Sequence, residues 1–370
     1  MSFLPRLRPE SEAFLHLDCL RLVAATAIVF LHASQNLQGA LTIDSQFTDA
    51  LSLFVDLFFV ISGFVIAFLY FDKLSDFRAY AVFLRRRVAR LGPLHWATLA
   101  VFALLGAVGT ARGVHINHPQ IFDMRCFLPN IFFLQATSLC GHLSFNGPAW
   151  SISAEFFMYL SAPIFFFLAQ RSTILLGGLA AVWFVGITIY AHGNAWLGWL
   201  VPGGPFRAVP SFCLGVCLFR LREILVLRRG EIWMWGSLAV FFVGAAMHAN
   251  WFILLPILYA AVAFGICADG SGSASRLVRL GAAGGQLTYS SYMLHDLILL
   301  GVLTVVGNHL LHLSGMRINF LVLFAFVITW PASYVSLLFF ERPMRHLISG
   351  RRVPVQKIGI PELASEKPAS

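Results

Sequence analysis

Ten apolar stretches, all but the short third and sixth long enough to cross roughly 30 Å of hydrocarbon, leave this chain of 370 residues little room for any other kind of fold. They are read at about 17–36, 51–71, 93–109, 150–169 and 174–191, then at about 205–220, 231–247, 250–268, 285–307 and 319–340. A spanning segment must satisfy its backbone hydrogen bonds within itself. The expected fold class is therefore all-α: a polytopic membrane bundle of about ten transmembrane helices. Composition agrees, because only 12% of the residues are charged while 58% are hydrophobic. A soluble domain carries about 25% charged residues, so this chain has too little charge to cover a water-facing surface. The apolar piece 127–139 is broken by Pro129 and Asn130 and reads as interfacial or re-entrant rather than as a further crossing.

Orientation follows from the placement of Lys and Arg, which favour the cytoplasmic ends of spans. With both termini inside, only Arg112, Arg125, Arg207 and Arg317 of the 26 basic residues fall on the outer side. The net charge of +9 does not imply nucleic acid, because the basic residues sit at the ends of apolar runs and no polar domain carries a basic groove. Arg6 and Arg8 precede the first run as in a signal peptide, but Asp18 and Arg21 interrupt it and no cleavage site follows His32, so it is expected to stay as a span. Residues 1–350 read as one transmembrane domain and 351–370 as a disordered cytoplasmic tail, with no internal repeat or appended soluble domain. Six cysteines show no metal-ligand spacing. Cys126 and Cys140 share a polar connection in which a disulfide has room to form; the other four lie in or beside apolar runs and read as small buried hydrophobes.

An ionisable group near mid-span costs about 2.5–3.5 kcal/mol, so such groups turn to a bundle interior or a cavity. Here they are Arg21 and His32 on the first span, Asp56 on the second, Glu155 on the fourth, and His295 with Asp296 on the ninth; Glu341 lies where the tenth leaves the bilayer. Arg21 and His32 are eleven residues apart, three turns plus about 20°, and so share a face about 16 Å apart along the axis. Asp18 shares that face and is placed to hold the guanidinium. A cation at the inner end and an imidazole deep in the membrane suit a long substrate with a phosphate head and a reactive tip; the bland alternative is an ion pair and a core histidine. Asp56, Glu155 and His295 are expected at the depth of His32, where a carboxylate would fix the tautomer of a general base, or else act as polar glue between helices. Residues 76–90 read as an interfacial helix leading through Pro93 into the third span. Its Arg86, Arg87 and Arg90 suit phosphate oxygens, and equally an anchor on anionic lipid.

Six pieces in chain order resemble membrane acyltransferase family 3, the bacterial O-acyltransferases that modify exported glycans. They are LDCLRLVAATAIVFLH (17–32), DLFFVISGF (56–64), RRRVARLGPLHW (85–96), WSISAEFFMYL (150–160), SYMLHDLI (291–298) and ERPMRHL (341–347). The resemblance covers nearly the whole chain, and departs from the family pattern at Cys19, where Gly is usual, and at His95, where an aromatic is common. It implies transfer of an acyl group, acetyl favoured over succinyl or longer chains, from cytosolic acyl-CoA to a hydroxyl of an exported or surface carbohydrate. No permanently bound cofactor, metal or nucleic acid is expected.

The same resemblance implies a cytoplasmic (inner) membrane location and site roles for Arg21, His32, Arg86, Arg87, Arg90, Glu155 and Glu341. Combined with the spacing above, it gives a scheme in which Arg21, Arg86, Arg87 and Arg90 bind acyl-CoA and His32 acts as base or acyl carrier. Glu155 and Asp56 orient His32, and Asp18, His295 and Glu341 support the polar site. The alternative is a transporter or flippase with a polar intramembrane path. The acceptor and the oligomeric state are not legible in the string.

Overall fold

A computed structural model describes residues 14–113, 119–190, 200–225, 229–313 and 315–349, with a few single positions between them. The expected tail 351–370 lies outside the described residues, as do Arg6 and Arg8. All ten apolar stretches are helical: α1 Leu15–Ser34, α2 Ser45–Tyr70, α3 Phe77–Ala111, α4 Gly147–Arg171, α5 Thr173–Tyr190, α6 Gly204–Leu221, α7 Gly230–Ala246, α8 Trp251–Gly270, α9 Arg276–Gly307 and α10 Gly315–Ser349. Eight of these are long and apolar enough to span by themselves; α7 is apolar but short, and α6 is interrupted by Arg207. Large apolar side chains stand outward on the peripheral helices, among them Ile174, Val182, Phe320 and Leu323, where hydrocarbon is the natural solvent.

α1 lies inside the bundle and packs against α2, α8, α9 and α10. Its first turn is anchored by His16, whose ring sits between Asp269 (2.7 Å) at the end of α8 and Glu231 (3.2 Å) at the start of α7. α2 and α6 form the tightest crossing. A Cβ on Gly63 would stand 2.1 Å from the Phe212 carbonyl oxygen, and one on Gly215 would stand 2.1 Å from that of Val60. Two glycines facing each other let the backbones touch, the close approach on which membrane helix pairs rely.

The third span differs from its expected form. The arginine-rich segment and the span are one continuous helix of 35 residues, with Pro93 inside it. At 1.5 Å per residue it is about 52 Å long, well beyond the roughly 30 Å of hydrocarbon that a crossing requires. Asp76 caps it by accepting from the Ala79 N–H at 2.8 Å.

The segment 127–139 does not cross. A short helix, Phe127–Ile131, gives way to turns held beside α3 and α4. His95 Nε2–H donates to the Asn130 carbonyl (2.8 Å), Trp96 Nε1–H donates to that of Ile131 (3.0 Å), and Ser153 Oγ–H donates to that of Phe133 (2.6 Å). His95, one of the two departures from the family pattern, thus fastens this segment. Cys126 and Cys140 are joined by a disulfide, with Cα atoms 5.2 Å apart, and the other four cysteines are buried thiols.

Candidate active site

Five helices converge on a cavity of about 780 Å³ of atom-free space, its mouth included. α1 contributes Arg21, α2 Ser62, α3 Arg87 and Arg90, α4 Ser151, Glu155 and Tyr159, and α9 Thr288, Tyr289 and Tyr292. On α4 the three polar residues recur every four positions and so make one stripe down a single helix face. Asp18 accepts from Arg21 Nη1 at 2.8 Å, as the i, i+3 spacing predicts. Glu155 Oε1 accepts from Ser62 Oγ at 2.7 Å and from the Tyr159 hydroxyl at 2.5 Å. Arg87 lies over the Tyr159 ring, 5.8 Å from its centroid, and over Tyr70 and Phe83 at 5.5 and 5.9 Å. Three guanidinium groups and one carboxylate held by hydroxyls make a positively charged recess between these helices.

The imidazole of His32 lies beyond this recess, three turns along α1 from Arg21. It meets His295, with His295 Nε2 and His32 Nδ1 3.0 Å apart. The protons can be assigned from the partners. His295 Nδ1 is 2.9 Å from the Ser291 carbonyl oxygen, which only accepts, so Nδ1 carries the proton. In a neutral ring Nε2 is then an acceptor, and His32 Nδ1–H must donate to it. His32 is left with its lone pair on Nε2, the atom that a base or nucleophile needs. Tyr292 connects the two parts of the site: it lines the cavity, and its ring centroid is 5.9 Å from that of His295. Its hydroxyl is tied to Ser151 Oγ at 2.7 Å and to the Pro148 carbonyl at 3.0 Å.

Two expectations about His32 do not match this geometry. Asp56 is not beside the imidazole: it is fully buried against Arg207, with Oδ2 2.6 Å from Nη2 and Oδ1 3.3 Å from Nε. Arg207, assigned from the sequence to the outer surface, is also fully buried, its guanidinium 5.3 Å from the centre of the Trp150 ring. Glu155 hydrogen-bonds in the arginine cavity rather than to His32. Glu155 therefore lies level with Arg21 rather than with His32, and for Asp56 rotation about the helix axis, which depth does not fix, decides the neighbour.

The remaining groups are also placed. Glu341 is buried between α9 and α10, accepting from Ser290 and from Ser336 (3.1 Å), close enough to Arg90 to feel its charge. Asp296 lies beside Gly147, whose Cβ position would be 3.9 Å from Oδ2. Arg86 turns away from the cavity, because residues 86 and 87 differ by about 100° around a helix. Ser62, Tyr159 and Tyr292 were not singled out from the sequence. Tyr159 had a signal, four residues after Glu155, whereas Ser62 is one of many serines. Among the described residues, Cys126, Cys140 and His142 cluster at metal-ligand range, but two of the three are joined as a disulfide and offer no thiolate.

Residues 14–338 match the family described as "Acyltransferase domain". The chain is 33% identical over 167 residues to Acyltransferase MdmB of Streptomyces mycarofaciens, a stretch covering 41% of this chain and 39% of that protein. It is 36% identical over 155 residues to Protein 2 in picA locus of Rhizobium radiobacter, covering 39% of this chain and 78% of that protein. No solved structure matches. A match that takes in the arginine cavity and the histidine pair, and runs through nine of the ten helices into the last, places this chain in the acyltransferase family.

Proposed function

We propose that the protein is a membrane O-acyltransferase that moves an acyl group, acetyl in the simplest case, from cytosolic acyl-CoA to a hydroxyl of an exported or surface carbohydrate. The observation that carries this reading is the contact between His32 and His295, whose partners assign a lone pair to His32 Nε2, three turns along α1 from a cavity lined with guanidinium groups. Arg21, Arg87 and Arg90 hold the phosphates of the donor, and the pantetheine arm runs along α1 toward Tyr292 and His32. His32 Nε2 takes the proton from the acceptor hydroxyl as its oxygen attacks the thioester carbonyl. The departing thiolate then receives that proton. The same lone pair also permits a two-step route in which Nε2 first accepts the acyl group and then passes it on. His295 holds the tautomer and disperses the positive charge that develops on His32.

Asp56 has no part in this scheme, since Arg207 neutralises it. Positive charge concentrated at the arginine end supports a topology with that end and both termini in the cytosol of a bacterial inner membrane.

The test is transfer of labelled acetyl from acetyl-CoA to glycan by purified His32→Ala protein. The expected result is no product from a variant that remains folded and monodisperse in detergent. Wild-type turnover would remove the proposal.

A further inference from the structure

A second space opens at the inner end of the bundle, between the end of α2 and the first turns of α3. It is a groove of about 670 Å³ of atom-free space with Lys73, Arg78 and Arg86 in its lining. Its single acid is Asp76, whose Oδ1 is engaged by the Ala79 N–H of the helix cap and whose Oδ2 accepts from Ser75 Oγ at 3.4 Å. None of the three cations is ion-paired with an acid among the described residues. Lys73 and Arg78 are exposed, and Arg86 is half-buried. Three positive groups around one concavity, with the only carboxylate already bonded, make a site for a doubly charged anion.

The groove adjoins the arginine cavity. Tyr70 and Phe83 line the groove, and the guanidinium of Arg87, which lines the cavity, lies over both rings, with its Nη2 3.4 Å from the Tyr70 hydroxyl. One layer of side chains therefore separates two phosphate-binding recesses. A ligand that fills both must carry two phosphate groups on opposite sides of a small spacer. A nucleoside bearing a 5′-diphosphate and a 3′-phosphate on one ribose has that form.

We infer that Lys73, Arg78 and Arg86 form the subsite for the 3′-phosphate of the acyl-CoA donor, while the cavity of Arg21, Arg87 and Arg90 takes the diphosphate and the pantetheine arm. The inference rests on the acyl-CoA reading above and deepens it. It also divides the arginine cluster: Arg86 serves one phosphate, and Arg87 and Arg90 serve the other. Lys73 and Arg78, which no motif singles out, become residues that distinguish the donor from its 3′-dephospho form.

The experiment compares acetyl-CoA with 3′-dephospho-acetyl-CoA as donors for wild type and for Lys73→Ala/Arg78→Ala. The protein is held in nanodiscs of neutral phosphatidylcholine and, separately, in nanodiscs containing anionic lipid. Two exposed cations on one phosphate are worth roughly tenfold in KM. Wild type is expected to show that preference for acetyl-CoA in both membranes, and the double variant to lose it, its KM for acetyl-CoA rising to the dephospho value. Retention of the preference by the variant overturns the subsite. So does an effect confined to anionic nanodiscs, which would assign the groove to a lipid headgroup. Failure of wild type to use either thioester would instead remove the donor assignment itself, and the subsite with it.

Discussion

At the scale of single residues, the decisive feature is which nitrogen of His32 carries a proton. The sequence places Arg21 and His32 on one face of one helix, and Asp18 meets Arg21 as that spacing requires. The partner of His32 was less legible. Three polar groups are expected at its depth; one of them, His295, makes the contact, while Asp56 is engaged by Arg207 and Glu155, in the arginine cavity, by Ser62 and Tyr159. Arg207 escaped notice because its position near the outer end of a short apolar run fits a surface arginine, yet it is fully buried. Two charges out of water persist only when matched, so burial of Asp56 required such a partner somewhere in the chain.

The role of His295 is testable by rescue. A Gln side-chain carbonyl accepts from His32 Nδ1–H as the imidazole does, and a Leu cannot. His295→Gln is expected to retain activity within about tenfold of wild type, and His295→Leu to lose on the order of a hundredfold in kcat. Both proteins should show similar thermal stability. Equal loss in the two variants would mean that His295 only fills space.

At the scale of elements, hydropathy located the ten long helices, because lipid demands a largely apolar run from each crossing. Hydropathy did not give helix rotation or the positions of close contact. The α2–α6 crossing depends on Gly63 and Gly215, two glycines among 30 in the chain, and nothing local distinguishes them. The length of α3 was misjudged for a related reason: Pro93 suggests a boundary, but proline is accommodated within membrane helices when neighbours satisfy the freed backbone. Overpacking predicts the effect of a methyl at the crossing. Gly63→Ala must push α6, whose Phe212 carbonyl oxygen would lie 2.1 Å from the new Cβ, away from α2, at a cost of about 1–3 kcal/mol. It should lower the midpoint of thermal unfolding in detergent, and an unchanged midpoint would show that the crossing is looser than described. Ser62, which bonds Glu155, immediately precedes Gly63 on α2, so the same substitution should also reduce activity.

At the scale of the whole molecule, the bundle keeps a positively charged recess at one end and a neutral, tautomerically fixed imidazole pair farther along α1, joined by Tyr292. The overall class was legible in the sequence because it arises from the membrane as solvent. The recess was only partly legible, since it is assembled from five helices whose rotations depend on one another. Under the proposed function, the recess holds the donor at the end of Arg87 and Arg90 while the acceptor is reached from the other side. The most direct test uses vesicles with the protein inserted in one known orientation, labelled acetyl-CoA on the side of Arg87 and Arg90, and glycan acceptor on the opposite side alone. The account predicts labelled glycan under this arrangement, and none when the two substrates exchange sides. Product that forms only when both substrates share one side would contradict it.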